Sequence, residues 1–119
     1  MGYVVRHERN CSIIPINPKN NYQLPFDNEI IDLKLICEVH GIQHYELLRE
    51  NTPWLNNQTP REFLKQRKLI DRYKKAVAEC NGYFYLEIPY WTENDESYKK
   101  LIDDKIKQIF MLKGGDKIA

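Results

Sequence analysis

Apolar and polar positions along the chain alternate in some stretches and recur at helical spacing in others, in the order β, ββ, α, β, α. Residues 3 to 9 are β-prone with partial alternation. Ile13, Ile14 and Ile16 follow before a Pro/Asn/Lys stretch at 17 to 22, so a strand gives way to a loop. From Leu24 to His40 aliphatic and β-branched residues dominate, with a break at Asp32 to Lys34. That pattern predicts a hairpin with strands near 25 to 31 and 34 to 40, ended by a sharp turn at Gly41. Residues 45 to 58 hold Pro53, Trp54 and three asparagines without sustained periodicity and read as a long connection.

Thr59-Pro60-Arg61-Glu62 starts a helix: Thr at the N-cap, Pro at the first turn where its missing N–H is harmless, and Glu placed to reach back. Phe63, Ile70, Tyr73, Val77 and Cys80 then share one face, and Asn81-Gly82 supplies the C-terminal cap. Tyr83 to Ile88 reads as a central strand packed beneath that helix. Thr92 to Asp95 offers another N-cap, followed by a stripe of Tyr98, Leu101, Ile102, Ile106 and Ile109 that ends at Gly114-Gly115. The fold class that follows is α/β or α+β, a mixed sheet of about four strands flanked by helices.

Composition narrows the picture. The 119 residues suffice for a single domain, and no apolar run approaches the length of about eighteen residues that would span a membrane. With no signal-peptide layout at the N-terminus, the reading is a cytoplasmic protein. Cys11, Cys37 and Cys80 are odd in number and scattered, which argues against a disulfide framework or a zinc cluster and reads as reduced core cysteines. Trp54, Trp91 and the aromatics from Tyr83 to Tyr90 read as core and sheet packing. A net charge of +1 is too small for a nucleic-acid coat. Its distribution is uneven, however: Arg61 to Lys75 holds seven basic residues against two acidic ones. Within that helix Lys65, Lys68, Arg72 and Lys75 follow helical spacing on the side of Asp71 and are the candidate contacts to a DNA backbone.

Candidate chemistry concentrates between residues 27 and 44. Asp27 opens the hairpin, and Glu38 lies in its second strand where pairing brings the two carboxylates to one end of the sheet. Hard oxygen ligands so placed suit Mg²⁺ or Mn²⁺. His40 projects from the same face as Glu38, and Gln43 and His44 follow the glycine. Phosphodiester hydrolysis needs a cation, a base and an acid, and an imidazole can serve as base near neutrality. On spacing alone, polar residues on the solvent side of a half-exposed hairpin account for the pattern equally well.

The stretch Leu24-Pro25-Phe26-Asp27, then Leu35-Ile36-Cys37-Glu38-Val39-His40-Gly41-Ile42-Gln43-His44-Tyr45-Glu46, then Asp71 in a basic helix, then Gly82 to Trp91, resembles the very-short-patch-repair-like branch of the PD-(D/E)xK nucleases. That branch includes phage homing endonucleases described by an E-D-x-H-D motif, and the resemblance covers residues 22 to 91. It implies a restriction-endonuclease-like core and a metal-dependent endonuclease acting on double-stranded DNA. Asp27 matches the family's metal-binding aspartate. Glu38 matches a second acidic position that the repair enzymes lack. His40 stands where PD-(D/E)xK enzymes usually carry Lys and matches a histidine of the repair enzymes. His44 resembles the general-base histidine, although its offset from Gly41 differs by one, which leaves the base open between His40 and His44. Asp71 matches an aspartate that orients the histidine or an outer-shell water. The family's first acidic residue lies on a helix before the sheet, and no such segment precedes Tyr3. Either Glu8 substitutes for it, or the chain is one nuclease domain of a longer protein with an N-terminal DNA-recognition region. A mismatch-nicking repair endonuclease and a non-catalytic nucleic-acid-binding module are the alternatives.

Overall fold

The break at residues 31 to 34 is what makes the first hairpin. Ile31–Leu33 form a 3-10 turn, and Lys34 caps it in the left-handed conformation (φ 49°, ψ 50°). In the computed structural model, which describes residues 2–118, the strands are β1 (Val5–His7), β2 (Asn28–Ile30), β3 (Leu35–His40) and β4 (Phe84–Pro89). They form one sheet in the order β1-β2-β3-β4, with the first two pairings antiparallel and β3–β4 parallel. Helix α1 (Pro60–Cys80) connects β3 to β4, and α2 (Ser97–Ile118) follows β4. This is an α+β fold, a four-stranded mixed sheet with two helices.

Alternation along β3 and β4 divides the core into two layers. Ile36 and Tyr85 pack with Phe26, Cys11 and Ala78 of α1, whereas Leu35, Cys37 and Ile88 pack with Leu33 and Ile109 of α2. Tyr98, Ile102 and Ile106 join the second cluster, so the stripe predicted for the C-terminal helix is the one that docks. Burying side chains such as Phe26, Leu35, Ile36 and Ile109 stabilises the fold by about 1.5–3 kcal/mol each.

Several expectations need correction. The strand β4 is an edge strand, not a central one. Its continuous apolar character arises because helices cover both of its faces, not because strands flank it on both sides. In α1 the fully buried residue is Ala78 and Cys80 is exposed, so the helix meets the sheet about a different axis from the apolar stripe. Trp54 and Trp91 are exposed rather than in the core. Helix α2 continues through Gly114 and Gly115, since glycine lowers helix propensity by about 1 kcal/mol without forbidding the conformation. Gly41 is extended (φ −73°), a conformation open to any residue, and the chain turns through the 3-10 segment Ile42–His44 instead.

The predicted helix start holds: the Thr59 side chain accepts the Glu62 N–H at 3.1 Å. Thr59→Ala should therefore cost about 1 kcal/mol of stability, read as a lower urea midpoint at unchanged slope. At the other end Gly82 (φ 81°) takes the left-handed cap position.

Glu29 is a buried carboxylate that the sequence did not single out. Its Oε1 accepts the Ser12 amide at 2.6 Å and its Oε2 accepts the Tyr83 hydroxyl at 2.8 Å. Burial pushes the carboxyl up, but these hydrogen bonds outweigh it and hold Glu29 below the ordinary carboxylate value. A depressed carboxyl contributes stability that is present above the unfolded pKa and lost as pH falls through the folded one. Glu29→Gln should thus destabilise the protein by about 1–3 kcal/mol at neutral pH, with the deficit shrinking as pH falls through the acidic range in urea titrations.

Candidate active site

The polar end of the sheet lies on the α1 side. Asn28 pairs with Cys37, so Asp27, one residue earlier, comes beside Glu38. Glu38 is in turn level with Glu87 across the parallel β3–β4 ladder. Partners in register project from the same face, which places Asp27, Glu38 and Glu87 on the face that α1 covers; His40, two residues after Glu38, shares it. Ligand sites of sheets with parallel strands gather where the strands end at their carboxyl termini, and β3 and β4 both end here.

Each carboxylate has a partner. Asp27 Oδ2 accepts the Val39 amide at 2.7 Å, which completes the backbone ladder where β2 has ended. Glu38 is buried, and its Oε1 lies 2.7 Å from Nζ of Lys74. Lys74 also donates to the Pro25 carbonyl at 2.9 Å, and its Nζ stands over an aromatic face, 5.5 Å from the Phe26 ring centre. Burial raises the Glu38 carboxyl to about 7 against the opposing charge of Lys74, with Asp27 and Asp71 adding to the rise.

The histidines form a second group. His40 and His44 stack face to face, with ring centres 4.1 Å apart and planes 6° apart. His44 Nδ1 is 2.8 Å from Asp71 Oδ2. His40 Nδ1 faces two carboxylates, Asp71 Oδ2 at 3.9 Å and Glu87 Oε1 at 3.7 Å. His40 is buried, and burial pushes its imidazole below the ordinary value even though Asp71 and Glu87 pull the other way. Tyr45 donates to Glu87 Oε2, and Tyr90 donates to Glu46, so the segment after Gly41 is tied to β4 and the turn beyond it. His40, His44, Tyr45, Asp71 and Glu87 line one recess together with Lys68 and Arg72.

Of the residues read from the sequence, Asp27 and Glu38 meet at the sheet end, and His40, His44 and Asp71 converge beside them. Lys68 and Arg72 border the recess, while Lys65 and Lys75 are exposed on α1. Glu8 is exposed on a 3-10 turn after β1, and among the described residues no side-chain hydrogen bond or ion pair ties it to this group. Two side chains of this group have no role in the sequence reading, Lys74 beside Glu38 and Glu87 beside His40. Lys74 follows Asp71 by three residues, the spacing that shares a helix face, which was the available signal. Glu87 becomes visible only through the β3–β4 register.

The carboxylate of Asp71 can only accept, so the proton between it and His44 resides on Nδ1 and the lone pair is left on Nε2. That makes His44 Nε2 a proton acceptor held in one orientation. Among the described residues, His40, His44 and Asp71 are also the only group of three or more His, Cys, Asp or Glu whose ligand atoms come together, within 4.8 Å of one another. No family model, curated protein or solved structure matches this chain.

Proposed function

We propose that this chain is a divalent-metal-dependent endodeoxyribonuclease that hydrolyses phosphodiester bonds in double-stranded DNA, of the phage homing endonuclease kind that its motifs resemble. The observation that carries this reading is that a carboxylate-oriented imidazole, His44 on Asp71, opens onto the same recess as the cationic side chains of Lys68 and Arg72. A base and a phosphate clamp in one recess are what attack on a phosphodiester needs.

In this mechanism Lys68 and Arg72 hold the phosphate against the recess, and His44 Nε2 takes the proton from the attacking water. Asp71 keeps the imidazole in the required tautomer and stabilises it once protonated. Asp27 and Glu38 each have one oxygen engaged, by the Val39 amide and by Lys74, which leaves the second oxygen of each for a hard cation. Mg²⁺ or Mn²⁺ held there would neutralise charge developing on the phosphoryl group. Lys74 opposes the rise that burial imposes on the Glu38 carboxyl and so favours the charged form that a cation requires.

The phosphate clamp is tested by measuring duplex binding in chelator across a range of salt concentrations. Lys68→Ala and Arg72→Ala should each flatten the dependence of log K on log salt by about 0.9 per lost phosphate contact. Unchanged slopes would remove the clamp from the mechanism. Tight binding in chelator by a chain that leaves DNA uncut whichever divalent metal is added would instead mark a non-catalytic binding module.

A further inference from the structure

From Arg9 to Phe26 the chain carries no acidic residue, and part of this stretch folds back on itself as a narrow ribbon. Ile16 bridges Gln23, the Asn17 amide donates to the Tyr22 carbonyl at 2.9 Å, and the Leu24 amide donates to the Pro15 carbonyl at 2.8 Å. The tip reads Asn17-Pro18-Lys19-Asn20-Asn21-Tyr22, and Lys19 to Tyr22 are exposed. Its shape is preformed. Asn17 Oδ1 accepts the Lys19 amide and Asn20 Oδ1 accepts the Tyr22 amide, each at 3.0 Å, while Asn21 takes the left-handed conformation (φ 62°) that asparagine tolerates. At the base of the ribbon the Tyr73 hydroxyl of α1 donates to the Ile16 carbonyl at 2.8 Å, and Arg9 Nε donates to Gln23 Oε1 at 3.1 Å. A surface held in this way loses little freedom when a partner binds.

The ribbon lies against α1 beside Gln66, Leu69, Ile70 and Tyr73, whereas Lys68 and Asp71 line the recess on the opposite flank of the helix. At 3.6 residues per turn, Lys65 and Arg72 stand on the ridge between these flanks. A DNA strand whose phosphates follow that ridge, with one of them at the recess, brings the ribbon over the groove on its other side. The major groove, about 12 Å wide, admits a two-stranded ribbon, and the minor groove, about 6 Å wide, is too narrow for one.

The chemistry of the tip selects among bases. Asn17 and Asn20 spend their carbonyl oxygens on backbone amides, so their NH2 groups are what remains to offer, and the Lys19 ammonium only donates. In the major groove guanine presents two acceptors, N7 and O6, whereas adenine and cytosine each present an amino donor. The bidentate pairing of asparagine with adenine needs the oxygen and is closed to both residues. We infer that the ribbon from Ile16 to Gln23 reads the major groove of the duplex that α1 holds, and that Lys19 and Asn20 give it a preference for guanine. This deepens the nuclease reading and rests on its phosphate contacts along α1.

The test is competition binding of the full chain in chelator to four duplexes of equal length: one with a run of guanines, one of A·T pairs alone, and the first with its guanines replaced by 7-deazaguanine or by inosine. The unaltered chain should favour the guanine duplex, lose that preference with 7-deazaguanine, which lacks N7, and keep it with inosine, which lacks only the minor-groove amino group. Lys19→Ala and Asn20→Asp should each lower the preference by about 5- to 10-fold, the low end of what a base contact carries. Aspartate keeps an oxygen for the Tyr22 amide, so Asn20→Asp removes the donor and leaves the turn. Arg72→Ala, by contrast, should weaken all four duplexes alike. Equal affinity for the four duplexes, an unchanged preference in both tip variants, or a preference that survives 7-deazaguanine and falls with inosine would overturn the ribbon's role. Metal-dependent cleavage by a chain without guanine preference would defeat the ribbon's role and leave the nuclease standing. Guanine-dependent binding by a chain that leaves DNA uncut whichever divalent metal is added would do the reverse.

Discussion

Lys74→Met is expected to destabilise the protein by about 2 kcal/mol at pH 8: about 1 kcal/mol for the hydrogen bond to Pro25, and about 1.4 kcal/mol because pH 8 stands a unit above the Glu38 pKa of about 7 and the variant must hold that carboxyl neutral. Methionine keeps the unbranched stem that passes Phe26, so the loss falls on the ammonium and its contacts with Glu38 Oε1 and the Pro25 carbonyl. The pH dependence separates the two. Glu38 has a folded pKa of about 7, above its unfolded value, so its favourable contribution is complete below the unfolded pKa and is lost as pH rises through the folded one. Removing Lys74 takes away the charge that opposes this rise, and the folded pKa moves higher still. At pH 5 the glutamate of the variant is therefore neutral, and the deficit should shrink to about 1 kcal/mol for the lost hydrogen bond to Pro25. Urea unfolding at the two pH values measures both numbers. An equal deficit at pH 5 and pH 8 would show that Lys74 acts by packing and not by holding the Glu38 charge.

His44→Ala should lower DNA cleavage by about 10²- to 10⁴-fold, the usual contribution of a positioned general base. Asp71→Asn should fall in the same range for a different reason. An asparagine at 2.8 Å from Nδ1 can donate to it, which stabilises the tautomer with the proton on Nε2 and removes the basic lone pair. Neither variant touches Lys68 or Arg72, so DNA affinity in chelator should stay close to that of the unaltered chain. Single-turnover cleavage and binding, measured on the same preparations, give the split. A drop in affinity that accounts for the whole loss would make His44 and Asp71 binding residues and not proton-transfer residues.

Local signals in the sequence were read correctly where the physics is local. The turn read at Asp32 to Lys34, the Thr59 cap and the α2 stripe each follow from a few neighbouring residues, and each is in the structure, the turn beginning one residue earlier at Ile31. Features set by packing between elements were not legible. The apolar residues of α1 suggested one face, yet the sheet end is polar, and the helix turns Asp71 and Lys74 toward it with only Ala78 fully buried. Glu87 looked like an ordinary alternating residue of a strand. Its place beside His40 depends on a parallel register between two strands separated by the whole of α1. Trp54 and Trp91 misled because large aromatics favour interiors on average, whereas Trp91 lies exposed against Tyr45 and Tyr90 beside the recess. Of the candidate residues, the convergence of Asp27 with Glu38 could be anticipated from hairpin pairing. That of His44 with Asp71 rested on resemblance, since a 3-10 turn and a helix meet there across 27 positions.

The most direct measurement is cleavage of supercoiled plasmid by the full chain at low salt, with Mg²⁺ or Mn²⁺ and with chelator, beside Asp27→Ala and His44→Ala at matched concentration. Nuclease chemistry at this recess predicts nicked or linear product that requires the metal and is lost in both variants. Plasmid left supercoiled by the folded, unaltered chain with either metal, or cleavage that both variants retain, would contradict it.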